Sequence, residues 1–117
     1  MTEWTRLRER HARNLEHNLE QVVQQLSNIP EVHRVILIGS FATGRRDLLT
    51  DLDLLVIMDS HLDFVARCAD LARRLQADVA LDLLVYTPSE FEAIQDRPFF
   101  RQALKSGKVL YERKQLR

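Results

Sequence analysis

Three short apolar runs that alternate with helix-like segments constrain the fold of this chain more than any other feature. The runs cover residues 34–38, 52–58 and 79–86, and each contains a single charged residue. Strands with this pattern are typical of sheets whose two faces are both buried. The pattern predicts an α/β fold with about four strands, the fourth being the short run 109–111. We expect the helices to pack mainly on one face of the sheet.

The segments between these runs show helical periodicity. Apolar residues recur three or four positions apart over residues 4–29, and Pro30 predicts the end of this first helix. The side chains of Asp59 and Ser60 are expected to cap a second helix that extends to about residue 75. Two further helices are expected, one opening at Pro88 and one spanning residues 98–106 with Gly107 as its C-cap.

Length and charge narrow the class of protein. A chain of 117 residues is expected to form one domain over residues 1–117, and its single cysteine, Cys68, agrees with a fold that needs no disulfide. Seventeen basic residues balance seventeen acidic ones, so direct binding along nucleic acid is not expected. The chain lacks a signal-like or membrane-spanning apolar segment, so we expect a cytoplasmic protein with no membrane partner.

Three aspartates form the candidate catalytic and metal site. Asp51 and Asp53 stand two residues apart at the start of the second run, and alternation along a strand directs both to one face. Asp82 interrupts the third run, where an unpaired ionised carboxylate would cost several kcal/mol. If the two strands are neighbours, the three carboxylates suit Mg²⁺, which prefers oxygen ligands and shares them with substrate phosphates.

A purely structural interpretation of the same residues stays open at this point. Asp51 would then end a turn, loop amides would hold Asp53, and Asp82 would pair with an arginine such as Arg34. Either strand taken alone favours this structural interpretation.

A candidate phosphate site follows the first run directly. Gly39 and Ser40 come at its end, and the residues after Gly39 are expected to begin a short helix. The free backbone amides of such a turn attract phosphate, and glycine permits a close approach of the backbone. A glycine-serine pair is common in ordinary turns, so the pair alone does not indicate a phosphate site. Its spacing to the aspartates is the stronger signal. Ten residues separate Ser40 from Asp51.

The pattern Gly-Ser, ten residues, Asp-x-Asp, with a later aspartate in another strand, resembles the minimal nucleotidyltransferases of the DNA polymerase β superfamily. The matching segments are 39–44 and 50–56, and similarity extends over nearly the whole chain. The resemblance implies a mixed sheet with a two-metal Mg²⁺ site at one edge. Asp51 and Asp53 would hold the ion on the triphosphate, Asp82 would complete the second site, and Gly39 and Ser40 would hold the phosphates.

Two positions depart from the family pattern. Thr43 stands where many members have arginine, and Thr50 replaces a common serine. The first change removes a positive charge from the expected triphosphate site. Arg45 and Arg46 follow closely and are candidate nucleotide-binding residues, although paired arginines in a polar loop are often only solvated.

The resemblance also implies a biological role. Short members of this superfamily pair with a HEPN toxin as its antitoxin and transfer AMP from ATP to a toxin tyrosine. The leading hypothesis is therefore a Mg²⁺-dependent protein adenylyltransferase that acts on a HEPN partner. An alternative is a non-catalytic antitoxin that neutralises the toxin by binding. A third possibility is an antibiotic-modifying nucleotidyltransferase. It is the least favoured, because we expect no region that would hold a small acceptor.

Overall fold

The computed structural model describes residues 2–114 and shows a four-stranded sheet with helices on both faces. The helical segments are α1 (Glu3–Ser27), α2 (Gly39–Ala42), α3 (Phe64–Arg74), α4 (Pro88–Ile94) and α5 (Pro98–Ser106). The strands are β1 (Val32–Ile38), β2 (Leu52–Met58), β3 (Leu81–Tyr86) and β4 (Lys108–Glu112). Every strand and helix expected from the sequence is therefore present, with shifts of a few residues at the ends.

The sheet is mixed and has the order β3-β2-β1-β4. Strand β1 runs antiparallel to both β2 and β4, whereas β2 and β3 are parallel and α3 connects them. The two inner strands carry long buried runs, as their apolar sequences predict. Strand β3 lies at an edge and is only partly buried, unlike the two inner strands.

Each face of the sheet has its own hydrophobic core, so the expected packing of helices mainly on one face describes only the two longest helices. The long helices α1 and α3 cover one face, with Leu15, Val22, Leu26 and Leu71 among the buried residues. The shorter helices α4 and α5 cover part of the other face through Phe91, Phe100 and Ala103. Beside α5, a cleft remains at one end of this face of the sheet and is lined there by Ile38, Asp53 and Asp82.

The start of α3 differs from the prediction. Its N-cap is Asp63, whose carboxylate accepts a hydrogen bond from the backbone amide of Ala66 at 2.9 Å, so the assignment of Asp59 and Ser60 as the cap was wrong. Asp59 instead pairs with His33 at 2.9 Å, beside the end of β2. Either aspartate has the short side chain that a cap requires, and the path of the loop decides between them.

Arg67 is a buried charge that the apolar periodicity of α3 conceals. Its guanidinium donates to the carbonyls of Leu62 and Val85 at 2.8 and 2.9 Å and to the carboxylate of Glu90 at 2.6 Å. The guanidinium lowers the pKa of Glu90 from its ordinary value. Arg67 thereby ties α3 to β3 and α4 through partners that satisfy most of its donors.

Over residues 2–114, none of the helices is both long and apolar enough to cross a bilayer.

Candidate active site

The candidate site lies at the end of the sheet where β1 finishes and β2 and β3 begin. The antiparallel register places Ile38 opposite Asp53, and the parallel register places Asp53 opposite Asp82. Alternation along β2 directs Asp53 to the same face as Leu55, whose side chain belongs to the core under α4 and α5. The sheet thus brings Asp53 and Asp82 together beside the end of β1, as the sequence predicted for neighbouring strands.

Gly39 meets the carboxylate of Asp53 at this point. Its φ of +78° lies in the left-handed region, and a Cβ on Gly39 would overlap the Oδ2 atom of Asp53. Only glycine satisfies both the backbone conformation and the contact without strain. The side chain that packs against Gly39 is thus a candidate catalytic carboxylate, and the approach of a phosphate to Gly39 stays a prediction.

The residues after Gly39 form a tight turn, α2, which is only four residues long. The carbonyl of Ser40 accepts hydrogen bonds from the Thr43 hydroxyl at 3.0 Å and from the backbone amide of Arg45 at 2.9 Å. These bonds fix the turn internally. Gly39, Ser40 and Thr43 all line the cleft that contains Asp53 and Asp82.

The environment of Asp53 opposes its ionisation. Burial is the main cause, followed by a hydrogen bond with Asp82 and the nearby charges of Asp82 and Asp51, and together they raise the pKa of Asp53 to about 6. Two adjacent carboxylates that repel each other are stabilised by a cation or by a shared proton. The pair provides oxygen ligands only, which fits a hard divalent cation such as Mg²⁺.

The raised pKa of Asp53 predicts a pH-dependent stability of the metal-free protein. The folded pKa of about 6 exceeds the ordinary 3.8, so the folded state binds more protons between these values. The contribution of Asp53 is therefore destabilising above pH 6 and disappears as the pH falls towards 4. In EDTA, Asp53→Asn should raise the free energy of unfolding by about 1 kcal/mol at pH 7.5. Denaturant unfolding at pH 7.5 and 4.5 measures this, and an equal gain at both pH values would contradict it.

Asp82 is exposed, so the prediction that its carboxylate is buried within the strand was wrong. Because β3 is an edge strand, Asp82 does not need a cation to compensate for burial. The proposed pairing with Arg34 is also absent among the ion pairs of residues 2–114. Its position beside Asp53, rather than its own burial, marks Asp82 as a candidate site residue.

Asp51 precedes β2 and does not line the cleft. Its charge is the smallest of the causes that raise the pKa of Asp53. Within the described part of the chain, no three Asp, Glu, His or Cys side chains form a group that could hold a metal ion. The structure therefore brings two of the three aspartates together, and the role of Asp51 as a ligand stays a prediction.

The loop between α2 and β2 is held by contacts that the sequence did not reveal. Thr50 is fully buried, and its hydroxyl accepts a hydrogen bond from the Asp47 amide at 3.1 Å. Nε2 of His11 on α1 lies 2.8 Å from the Thr50 carbonyl. These contacts fix the backbone immediately before Asp51. The position of His11 on the apolar stripe of α1 was the only signal for this role.

The candidate arginines do not line the cleft. Arg45 pairs with Asp47 at 2.6 Å. Arg46 donates to the Phe41 carbonyl at 2.9 Å, and its guanidinium stacks 3.6 Å from the centre of the Phe41 ring. Both side chains thus stabilise the loop between α2 and β2. Their contribution to nucleotide binding stays a prediction.

The cleft beside the aspartates has a volume of about 620 Å³, which is within the usual range of small-molecule sites. Its floor is the end of the sheet and one wall is α5. Apolar side chains form much of the lining, which also contains Gly39, Ser40, Thr43, Asp53, Asp82, Gln102 and Ser106. A cleft with carboxylates and a glycine turn at one end and an apolar wall suits a ligand with both a charged and an aromatic part.

Comparison with known proteins identifies the family. Residues 20–116 match the family described as polymerase beta, nucleotidyltransferase. The chain belongs to this family. The family and the fold predicted from the glycine-serine and aspartate spacing are confirmed, and the chain is a nucleotidyltransferase.

Individual relatives of this nucleotidyltransferase are similar over most of their length. A Methanocaldococcus jannaschii protein named as a protein adenylyltransferase is 30% identical over 82 residues, which are 68% of this chain and 79% of the relative. Two solved structures, the toxin-antitoxin MntA-HpeT and a toxin-antitoxin with AMP-PNP, each contain a chain that is 25% identical to this protein. Their TM-scores are 0.53 and 0.54, and the matches cover 82% and 81% of this chain and 73% of each matched chain.

A nucleotidyltransferase structure from Sulfolobus solfataricus supports the fold alone. It has a TM-score of 0.55 at 17% identity, and the match covers 97% of this chain and 90% of the other.

Proposed function

We propose that this nucleotidyltransferase is a Mg²⁺-dependent protein adenylyltransferase that transfers AMP from ATP to a tyrosine of a HEPN toxin, and so acts as the antitoxin of the pair. The observation that carries the proposal is the contact of Gly39 with Asp53 beside Asp82 at one end of a ligand-sized cleft. ATP is a cytoplasmic metabolite, so we place the reaction in the cytoplasm.

The carboxylates are the proposed ligands of the metal. Asp53 and Asp82 fit Mg²⁺, which proteins commonly bind through one or two carboxylates together with substrate phosphates. Asp51 is the proposed third ligand and would need to turn towards the cleft. When bound, Mg²⁺ would neutralise charge on the phosphates and favour departure of pyrophosphate.

The residues of the chain itself position the reactants. Gly39 and Ser40 would bind the phosphates through the amides of the turn, and Arg45 and Arg46 would add positive charge if they left their loop contacts. The acceptor oxygen attacks the α-phosphorus as the bond to pyrophosphate breaks. Asp82 is exposed and lines the cleft, and it would receive the proton of the acceptor hydroxyl.

The similar proteins support the choice of a protein acceptor. A relative that shares 30% identity is named as a protein adenylyltransferase, and two structural neighbours come from toxin-antitoxin structures, one of them with AMP-PNP. The cleft includes the exposed Asp82 of the edge strand β3, where a partner protein would present its side chain.

Intact-mass spectrometry tests this proposal. The purified protein is mixed with Mg²⁺, ATP and the proposed HEPN partner, and the partner mass should increase by whole AMP units. Peptide mapping should then locate the added group on a tyrosine. A stable complex in which neither protein gains mass, and in which Asp51→Asn/Asp53→Asn still neutralises the toxin, would show that inhibition occurs by binding alone.

A further inference from the structure

Helix α5 presents one face to the cleft. Phe99, Gln102, Ala103 and Ser106 line it, and their spacing of three and four residues places them on a single side of the helix. Gly39 and Asp53 line the same cleft, so a ligand held at the glycine turn would lie beside α5. None of these α5 residues belongs to the motif that identifies the family.

Phe99 is an exposed aromatic residue with a fixed position. Its side chain is 58% exposed, although it lines a cleft in which most apolar neighbours are buried. Its ring meets that of Phe100 edge-to-face, with centroids 5.0 Å apart. Phe100 is in turn held by the rings of Tyr86 and Phe91. An exposed ring on a rigid aromatic base is a ready stacking surface for a planar ligand.

Gln102 lies one helical turn after Phe99 and is also exposed. Within residues 2–114, its backbone carbonyl accepts a hydrogen bond from the Ser106 hydroxyl at 3.0 Å, while its carboxamide is free to bind a ligand. A carboxamide offers one donor and one acceptor side by side. This pattern complements the amino group and adjacent ring nitrogen of adenine, whereas guanine presents a carbonyl oxygen and a ring N–H in their place.

We propose that Phe99 and Gln102 form the nucleobase subsite of the cleft, with the base stacked on Phe99 and its edge recognised by Gln102. This inference rests on the proposed function, because it requires that a nucleoside triphosphate bind with its phosphates at Gly39 and Ser40. The cleft is continuous from that turn to Phe99, so one nucleotide can occupy both ends.

Equilibrium binding to the free protein tests the subsite without any acceptor. Affinities for a non-hydrolysable ATP analogue, the matching GTP analogue and inorganic tripolyphosphate are measured with Mg²⁺. Phe99→Ala should weaken binding of both nucleotides about tenfold, the usual effect of losing one stacked base. Tripolyphosphate binding should not change, and Phe99→Trp should bind nucleotides at least as well as the wild type. Gln102→Leu should reduce the preference for ATP over GTP about tenfold.

Matched controls make the outcomes decisive. Val109→Ala removes an exposed apolar side chain that does not line the cleft and should leave all affinities unchanged. If Phe99→Ala binds both nucleotides like the wild type but raises the KM for the acceptor protein, the α5 wall belongs to the acceptor and the inference is overturned. If the wild type binds tripolyphosphate and nucleotides equally well, the base has no subsite. If it binds neither, the proposed function fails as well.

Discussion

Asp53→Asn is expected to lower the rate of AMP transfer by about 10³-fold, comparable to the loss of a preorganised group that stabilises transition-state charge. The substitution keeps the shape of the side chain but removes the charge that the cation and the phosphates require. Asp53 is the residue that touches the glycine turn and pairs with Asp82, so no neighbouring carboxylate can replace it. The measurement is the initial rate of AMP incorporation into the partner at saturating ATP.

The control for Asp53→Asn is Asp96→Asn, which removes the same charge from an exposed position outside the cleft. The control variant should keep the wild-type rate, and circular dichroism should show that both variants are folded. A rate within threefold of wild type for Asp53→Asn would remove Asp53 from the catalytic machinery. Asp51→Asn, measured in the same series, decides whether Asp51 acts although it lies outside the cleft.

The architecture was predictable because the buried strands and helix faces have recognisable patterns of apolar residues. The inner strands β1 and β2 are covered on both faces and therefore read as apolar runs. Proline and glycine at the ends of helices, such as Pro98 and Gly107, located α5 within the chain. The spacing of Ser40 from Asp51 then identified the family, which no periodicity could have done.

Long-range contacts explain what the sequence did not predict. Asp82 is exposed because β3 lies at an edge of the sheet. The local sequence pattern of a strand does not reveal its position in the sheet. The role of Arg67 depends on carbonyls 5 and 18 residues away. His11 reaches the loop before Asp51 from α1, 39 residues from Thr50. Such partners are chosen by the packed fold, so sequence spacing carries little information about them.

The α5 wall shows a second kind of limit. The sequence predicted a helix over residues 98–106 but assigned no role to Phe99. In the structure Phe100 enters the core and Phe99 remains exposed beside the cleft. Two adjacent phenylalanines on a helix cannot face the same direction, so one of them had to lie outside the buried stripe. Periodicity alone did not predict that this residue would meet the site.

Gly39→Ala is expected to destabilise the protein by about 3 kcal/mol and to lower the transfer rate about 100-fold, because it adds both backbone strain and a steric overlap. The new Cβ would overlap the carboxylate of Asp53 and force it to shift from its place beside Asp82. Displacement of a catalytic carboxylate by about 1 Å is enough for a rate loss of this size. Denaturant unfolding and the AMP-transfer assay measure the two effects.

Gly44 provides the matched control for Gly39→Ala. Its φ is +100°, so alanine is strained there too, but a Cβ at Gly44 meets nothing within 4 Å. Gly44→Ala should therefore cost only about 1 kcal/mol of backbone strain and leave the rate nearly unchanged. In a background that carries Asp53→Ala, the overlap with the carboxylate is removed and only the Cβ of residue 53, at 3.1 Å, stays close. Gly39→Ala should then cost much less than in the wild type and only slightly more than Gly44→Ala. If the cost of Gly39→Ala is the same with and without Asp53, backbone conformation alone requires the glycine and the contact with the carboxylate does not.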